Sequence, residues 1–275
     1  GSHHDWLEGR GPKLVLMGYI DDATGKIFGR FFNYEGTLPA MGGLKGYIQR
    51  NGIPGQVYLD KHSTYRNNRK YNYTNWPFRD EDELTQFERA CRQLGIEVIH
   101  AHSPQAKGRV ERLFKTLQDR LVKEMRLIGV KTCLEANAFI EKYIDKFNAR
   151  FAVQARKKGN AHRLPDKRIK IDDILSVKTE HVLRNDSTVM HDRKLYQVTN
   201  KTRAQRVVVF EYLNGRMAIK YGQEGLDFNI IEERPQPKPK IQEVKKFKNR
   251  LRYIPPRDAA WRVGFKLRGS HCFQN

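Results

Sequence analysis

The stretch that decides the fold is Ile96-Glu97-Val98-Ile99-His100, followed closely by Ser103-Pro104-Gln105-Ala106-Lys107-Gly108-Arg109-Val110-Glu111-Arg112. The five residues before the motif predict a short strand. Residues 105–128 predict a long helix, because apolar residues form one stripe and Arg and Lys cover the other face. The members of that stripe are Val110, Leu113, Phe114, Leu117, Leu121 and Met125. The stretch therefore places an acidic residue, Glu111, near the start of a helix that follows a strand.

A second acidic residue, Asp60, ends the apolar run Gln56–Asp60, which predicts another strand. Residues Asp80–Leu94 predict a helix between the two strands. A carboxylate at the carboxyl end of a strand points into the crevice where open sheets bind ligands, and a carboxylate from a nearby helix can face it. Oxygen ligands of this kind suit Mg²⁺. Asp60 and Glu111 are therefore the candidate metal ligands.

Spacing alone also allows a purely structural interpretation of both residues. Asp60 could cap a turn, and Glu111 could pair with Lys107 or Lys115, each four residues away on the same helix face. Most such helix-surface pairs are simply solvated.

The charge balance favours a polyanionic partner. Lys and Arg total 52 against 31 Asp and Glu, which gives a net charge of +21 and an isoelectric point near 9.9. A surplus of this size is typical of nucleic-acid binding. A well-solvated basic protein and a structural RNA-binding protein are the alternatives.

The cysteines and the hydropathy pattern exclude other classes. Cys91, Cys133 and Cys272 are far apart and odd in number, so no disulfide framework or Cys-x-x-Cys metal site is indicated, and reduced thiols fit the cytoplasm. No apolar stretch approaches the roughly 18–20 residues that span a bilayer, so no membrane partner is expected. Five histidines are candidate zinc ligands, but none has a recognised zinc-site spacing with Cys. They are His3, His4, His62, His100 and His102.

The pattern along the chain predicts two folded regions. Residues 1–152 mix strands and helices, which indicates an α/β domain. It begins with a hairpin of Lys13–Ile20 and Lys26–Phe32, and helices are expected at Leu38–Asn51 and Cys133–Ala149. A basic linker at 153–181 precedes a small β-barrel at 182–234, and a Pro-, Lys- and Arg-rich tail follows at 235–275. The barrel strands are expected at Lys194–Val198, Arg206–Tyr212, Met217–Tyr221 and Phe228–Ile231, with a hairpin turn at Asn214-Gly215.

The order strand, Asp-x-x-Ser/Thr, helix, strand, Ser-Pro-Gln-Ala-Lys-Gly-Arg-Val-Glu-Arg, helix resembles the catalytic core of the retroviral-integrase superfamily. It is most similar to the DDE transposases of bacterial insertion sequences. The resemblance covers residues 1–150, and the small β domain is similar to the barrel behind many transposase cores. It implies an RNase H-like mixed sheet flanked by helices, two Mg²⁺ ions that Mn²⁺ can replace, and Asp60 and Glu111 as two of three catalytic carboxylates.

The first catalytic Asp of this family lies on the first strand, before the hairpin. It is expected just upstream of Gly1, and the chain starts Gly1-Ser2 without a Met. Asp5 is the acidic residue nearest to that position and is the alternative ligand if the alignment shifts, whereas Asp21 and Asp22 follow a strand and are expected in a turn.

The resemblance also implies DNA contacts and an activity. Lys107, Arg109, Arg112, Lys115 and His62 are expected to contact phosphates beside the cut. The expected activity is hydrolysis at transposon ends and strand transfer into target DNA, by a homo-oligomer in a bacterial cytoplasm, associated with the nucleoid. The alternative is a catalytically inactive, transposase-derived DNA-binding protein. Residues 65–76 interleave aromatic and basic side chains and could stack on bases or form a plain surface loop.

Overall fold

A computed structural model describes residues 1–59, 84–100, 104–157, 159–166 and 168–233, and of residues 104–107 it describes only the backbone. The chain divides into two units, 1–233 and 234–275. The second unit, which includes the predicted tail, lies outside the described residues, as do residues 65–76.

The first sheet contains β1 (Ser2–His4), β2 (Leu14–Ile20) and β3 (Ile27–Phe32), in that order and antiparallel throughout. The predicted hairpin of β2 and β3 is confirmed. Its turn is closed by Asp21, whose backbone N–H donates to the Lys26 carbonyl at 2.8 Å. The short strand β1 is an addition to the predicted elements.

Helices cover both faces of this sheet. α1 (Thr37–Asn51) and α2 (Gln86–Gln93) pack on one face, and α3 (Pro104–Leu127) and α4 (Cys133–Phe151) pack on the other. Alternate side chains of β2 pack against different pairs of helices, because successive side chains of a strand point to opposite faces of the sheet. Leu14 and Leu16 join the core with α3 and α4, whereas Val15 and Met17 join the core with α1 and α2.

Two further strands form a separate parallel pair. β4 (Gln56–Leu59) runs beside β5 (Glu97–His100), with Leu59 opposite His100. Within the described residues this pair is not joined to the three-stranded sheet by a strand ladder. The fold is therefore a mixed α/β fold, as predicted, and the finer RNase H-like arrangement is not confirmed.

The helix predicted at Asp80–Leu94 begins later than expected. Among the described residues α2 starts at Gln86, because Thr85 is its N-cap: the Thr85 hydroxyl accepts from the Glu88 N–H, and the Glu88 carboxylate accepts from the Thr85 N–H. Such a capping box satisfies two of the free N–H groups at a helix start. Residues 80–83 lie outside the described residues.

After a short helix, α5 (Ile171–Ile174), the chain forms two antiparallel sheets. One has the order β11-β10-β9-β6 and the other the order β12-β8-β7. The strands are β6 (Val177–Val182), β7 (Thr188–His191), β8 (Lys194–Val198), β9 (Arg206–Glu211), β10 (Met217–Tyr221), β11 (Glu224–Leu226) and β12 (Phe228–Glu233). They share one apolar core, which includes Val189, Val209 and Ile219. A closed barrel is not confirmed, and both α5 and nearly all of β6 lie in the range predicted as linker.

Side-chain amides cover the outer edges of two strands. Asn137 of α4 pairs with Phe31 of β3, and Asn148 of α4 pairs with Ile27 of β3. In each pair the amide oxygen accepts the backbone N–H at 2.8 Å, and the amide nitrogen donates to the carbonyl of the same residue at 3.0 Å. Gln86 of α2 makes the same two hydrogen bonds to Lys178 of β6. Its side-chain oxygen accepts the Lys178 N–H at 3.0 Å, and its side-chain nitrogen donates to the Lys178 carbonyl at 2.9 Å. These amides imitate the pairing of a neighbouring strand.

Candidate active site

Helix α3 carries Glu111 in its second turn, with the carboxylate exposed to solvent. The predicted apolar stripe of the helix is buried, and it includes Leu113, Leu117, Leu121 and Met125. Because these residues hold the helix against β2 and α4, they fix which side of α3 reaches solvent. Among the described side chains, Glu111 forms no ion pair, and the predicted alternative pair with Lys115 is therefore not seen.

Glu111 lies on the side of α3 that faces β1. Gln118 of α3 donates to the Ser2 hydroxyl of β1 at 3.0 Å. Glu111 precedes Gln118 by seven residues, so the two share a helix face about 10 Å apart along the axis. Phe114, between them, packs on Gly18 of β2 so closely that a Cβ there would lie 2.8 Å from its ring. This close approach brings the first turns of α3 against the middle strand.

Asp60 follows Leu59, the last described residue of β4, and itself lies outside the described residues. His62 and the side chain of Lys107 also lie outside them. The convergence of Asp60 and Glu111 on a common metal therefore stays a prediction.

The basic residues predicted to contact phosphate have different hydrogen-bond partners in this structure. Arg109 donates to the Asp22 carboxylate at 2.6 Å and to the Asp22 carbonyl at 2.9 Å, which joins α3 to the β2–β3 turn. Arg112 donates to the carbonyl of Gly108 at 3.0 Å, one turn earlier in the helix. Lys115 is exposed and makes no ion pair among the described residues. All three side chains reach solvent, and Arg109 alone is tied to another element.

The three aspartates near β1 and β2 make contacts within or to loops and turns. Asp5 accepts the Gly9 N–H at 3.1 Å. Asp21 accepts from the Ala23 N–H and the Thr24 hydroxyl, which confirms its predicted role in the turn. Asp22 is held by Arg109.

A buried His–Glu pair at the end of β5 was not predicted from the sequence. His100, at the end of β5, shares a hydrogen bond of 2.9 Å with Glu88 of α2, and both side chains are largely buried. Burial, with a further contribution from the negative charge of Glu88, raises the pKa of the Cys91 thiol to about 12, so this cysteine is not a nucleophile at neutral pH. Glu88 is 12 residues from His100 in the sequence, and the packing of β5 against α2 brings them together.

Within the described part of the chain, no group of three or more His, Cys, Asp and Glu side chains is arranged to hold a metal ion. His3, one of the histidines considered for zinc, instead meets the Glu35 carboxylate at 2.5 Å. Over the same residues, none of the helices has the length and apolar composition that crossing a lipid bilayer requires.

Comparison with known proteins identifies relatives over most of the chain. A protein named as a transposase, y4bF of Sinorhizobium fredii, is 32% identical over 243 residues, which cover 85% of this chain and 51% of that protein. The transposase for insertion sequence IS1202 of Streptococcus pneumoniae is 32% identical over 283 aligned positions, 95% of this chain and 56% of that protein. The chain is a relative of bacterial insertion-sequence transposases. The predicted resemblance is confirmed, and the chain spans about half the length of these transposases.

Two other comparisons add less to this assignment. No family model matches this transposase-related chain. A chain of the simian T-cell lymphotropic virus intasome, solved in complex with the PP2A regulatory subunit B56 gamma, is similar with a TM-score of 0.43 and 15% identity, over 74% of this chain and 72% of that one. This likeness is too loose to settle the arrangement of the strands.

Proposed function

We propose that this chain carries the catalytic core of a DDE transposase that cuts DNA at transposon ends and joins them to target DNA. The observation that carries the proposal is the relationship to transposases over 85–95% of the chain, together with an exposed Glu111 on α3. In this proposal the α/β region is an RNase H-like core (1–152). Residues 153–181 connect it to a barrel-like β domain (182–234), and the basic tail (235–275) follows.

Asp60 and Glu111 would hold two Mg²⁺ ions, or Mn²⁺ in their place. The fit rests on Glu111: its carboxylate is solvent-exposed and unpaired among the described side chains, and carboxylate oxygen is the donor type that Mg²⁺ prefers. Bound ions of this kind stabilise the attacking and leaving oxygens of an in-line phosphoryl displacement. The protein's own part is to hold Glu111 rigidly, and the packing of α3 on β1 and β2 does so.

The register of β1 supports a proposal for the third carboxylate. Ser2 stands opposite Leu16 and faces α3, so a residue continuing the strand before Gly1 would stand opposite Gly18 and face α3 again. That place lies beside Phe114 and the first turns of α3. We assign the third carboxylate to it rather than to Asp5, Asp21 or Asp22, which are engaged in loops.

The cations around Glu111 would neutralise the DNA backbone. Arg112 and Lys115 are exposed on α3, and Lys107, Arg109 and His62 complete the predicted set. Phosphate contacts of this kind fix the position of DNA without reading its sequence. The proposed assembly is a homo-oligomer on DNA, associated with the nucleoid.

The test is an oligonucleotide cleavage assay, with Mg²⁺ or Mn²⁺, on the protein extended upstream of Gly1. Glu111→Gln is expected to lower cleavage by about 10³-fold, because a lost charge-stabilising contact in an active site typically costs 10²–10³ in rate. Glu124→Gln, an exposed carboxylate on the same helix, is the matched control and should cut normally. Equal cleavage by Glu111→Gln and wild type would remove Glu111 from the site. DNA binding without any cleavage by the extended wild type would favour the inactive DNA-binding protein.

A further inference from the structure

Three cations lie close together where α2 contacts β6, the edge strand of the four-stranded sheet. The Nζ atoms of Lys178 on β6 and Lys220 on β10 lie 4.9 and 4.5 Å from the centre of the same ring, that of Phe210 on β9. Lys178 stands directly opposite Phe210 in the strand ladder. Arg89 of α2 reaches the same corner, where it donates to the Ser176 carbonyl at 2.6 Å. The two lysines and Arg89 form the junction cluster.

The negative charge in the junction cluster balances only one of these cations. Lys220 pairs with Asp173 of α5 at 2.8 Å, and Asp173 also accepts the Tyr212 hydroxyl at 2.7 Å. Arg89 uses its N–H groups on backbone carbonyls and on glutamine side chains. Lys178 donates to the Gln93 side chain at 3.3 Å. Among the described residues, no carboxylate forms an ion pair with Arg89 or Lys178.

This imbalance disfavours the charged form of Lys178. Burial lowers its pKa to about 8, with repulsion from Arg89 and Lys220 in the same direction and Asp173 opposing them. Burial likewise lowers the pKa of Arg89 to about 10. A partly buried cation without a counter-charge is costly, and an anion from outside would relieve that cost. Lys178 is half-buried, and among the described residues its ammonium donates only to Gln93, so it has further N–H groups for such an anion.

We propose that the junction cluster binds a phosphate group of the DNA backbone, with Lys178 as its main contact. The identity of the ligand as DNA rests on the proposed function, whereas the presence of an anion site does not. The ammonium form of Lys178 is the binding form, so affinity is highest below pH 8 and falls as the pH rises through 8. Binding of phosphate raises the pKa of Lys178, because a nearby opposite charge favours the charged form.

Two measurements on the full chain test this site. The first is the reactivity of the Lys178 amine towards an acylating reagent, followed by mass spectrometry from pH 6 to 10. In the free protein its reaction should rise with a midpoint near pH 8. A duplex oligonucleotide should protect it and move the midpoint to higher pH, and inorganic phosphate should do so more weakly.

The second measurement is duplex binding against salt concentration. Lys178→Gln should weaken binding by about 5- to 10-fold and reduce the salt slope by about one, as expected for one lost phosphate contact. Lys178→Arg keeps the charge and should bind like wild type. Lys142→Gln, an exposed lysine on α4, is the control for loss of one charge. Far-ultraviolet circular dichroism checks that each variant is folded.

The outcomes separate this site from the proposed function. Duplex binding that leaves the titration of Lys178 unchanged would overturn the site while the proposed function stands. Equal binding and equal salt slope for Lys178→Gln and wild type would overturn it as well. Protection of Lys178 by phosphate alone, in a protein that does not bind duplex DNA, would support the anion site and contradict the proposed function.

Discussion

The contact between Arg109 and Asp22 allows two roles for Arg109: it stabilises the β2–β3 turn, or it also contacts phosphate. If Arg109 only braces the β2–β3 turn, Arg109→Gln and Asp22→Asn should have the same effect. If Arg109 also contacts phosphate, only Arg109→Gln should weaken DNA binding, and Asp22→Asn should leave binding equal or stronger because it frees the guanidinium. We expect the second result. Both groups are exposed, at 54% and 75%, so each change should cost only about 0–1 kcal/mol of stability.

Fluorescence anisotropy with a labelled duplex measures the binding, and thermal unfolding measures the stability. Arg216→Gln, an exposed arginine in the β9–β10 turn, is the control for loss of one positive charge. Parallel losses in the two variants at residues 22 and 109 would show that Arg109 is structural.

The placement of Glu111 on α3 was predictable from the sequence, and the partner of Arg109 was not. The apolar stripe of α3 fixes which side is buried, and this leaves Glu111 exposed. Asp22 is 87 residues away from Arg109, and helical spacing carries no information about such a contact. The His100–Glu88 pair was not predicted for the same reason: it joins two different elements.

The attachment of α4 to β3 depends on two asparagines. Asn148→Ala leaves the N–H and the carbonyl of Ile27 without a partner, whereas Asn137→Ala leaves the Phe31 N–H without one and leaves the Phe31 carbonyl only the Cys133 thiol at 3.5 Å. Each change should cost about 1–3 kcal/mol, the usual cost of an unsatisfied buried polar group. The two residues are eleven positions apart, about 16 Å along the helix, so the double variant should show nearly the sum.

Urea unfolding measures these losses, and Glu141→Ala on the exposed face of α4 is the control, with an expected change below about 0.5 kcal/mol. A double variant as stable as wild type would mean that water replaces the amides at no cost.

The hairpin at Asn214-Gly215 was predicted, whereas the hairpins of β7–β8 and of β10–β11 were missed. Asn214-Gly215 marks the turn between β9 and β10, where Gly215 has a φ of 78°. The two-residue turn between β7 and β8 places Asp192 and Arg193 at φ of 43° and 63°, values that usually select Gly or Asn. β1 and β6 were also missed: β1 is short and polar, and the outward positions of β6 include Lys178 and Glu180.

The whole molecule carries a net charge of +21, so its binding to DNA should depend steeply on salt. If six to ten phosphates are neutralised, affinity should fall by about 10³–10⁵ between 50 and 200 mM salt. Titrations of one labelled duplex at four salt concentrations give the slope. A single-stranded RNA of equal length, at matched salt, is the comparison. Tighter binding to RNA at every concentration would favour the structural RNA-binding alternative, and a shallow slope would contradict a surface that follows the phosphate backbone.

The amides that cover β3 and β6 limit how copies of this protein can meet. A bare strand edge is a template on which another chain can add a strand. Here the outer N–H and C=O groups at Ile27, Phe31 and Lys178 are already satisfied from within the same subunit. Strand exchange along these borders would first have to displace the amides. If subunits assemble on one DNA molecule, as proposed, contacts along these two borders should therefore be made by side chains rather than by a sheet shared between subunits.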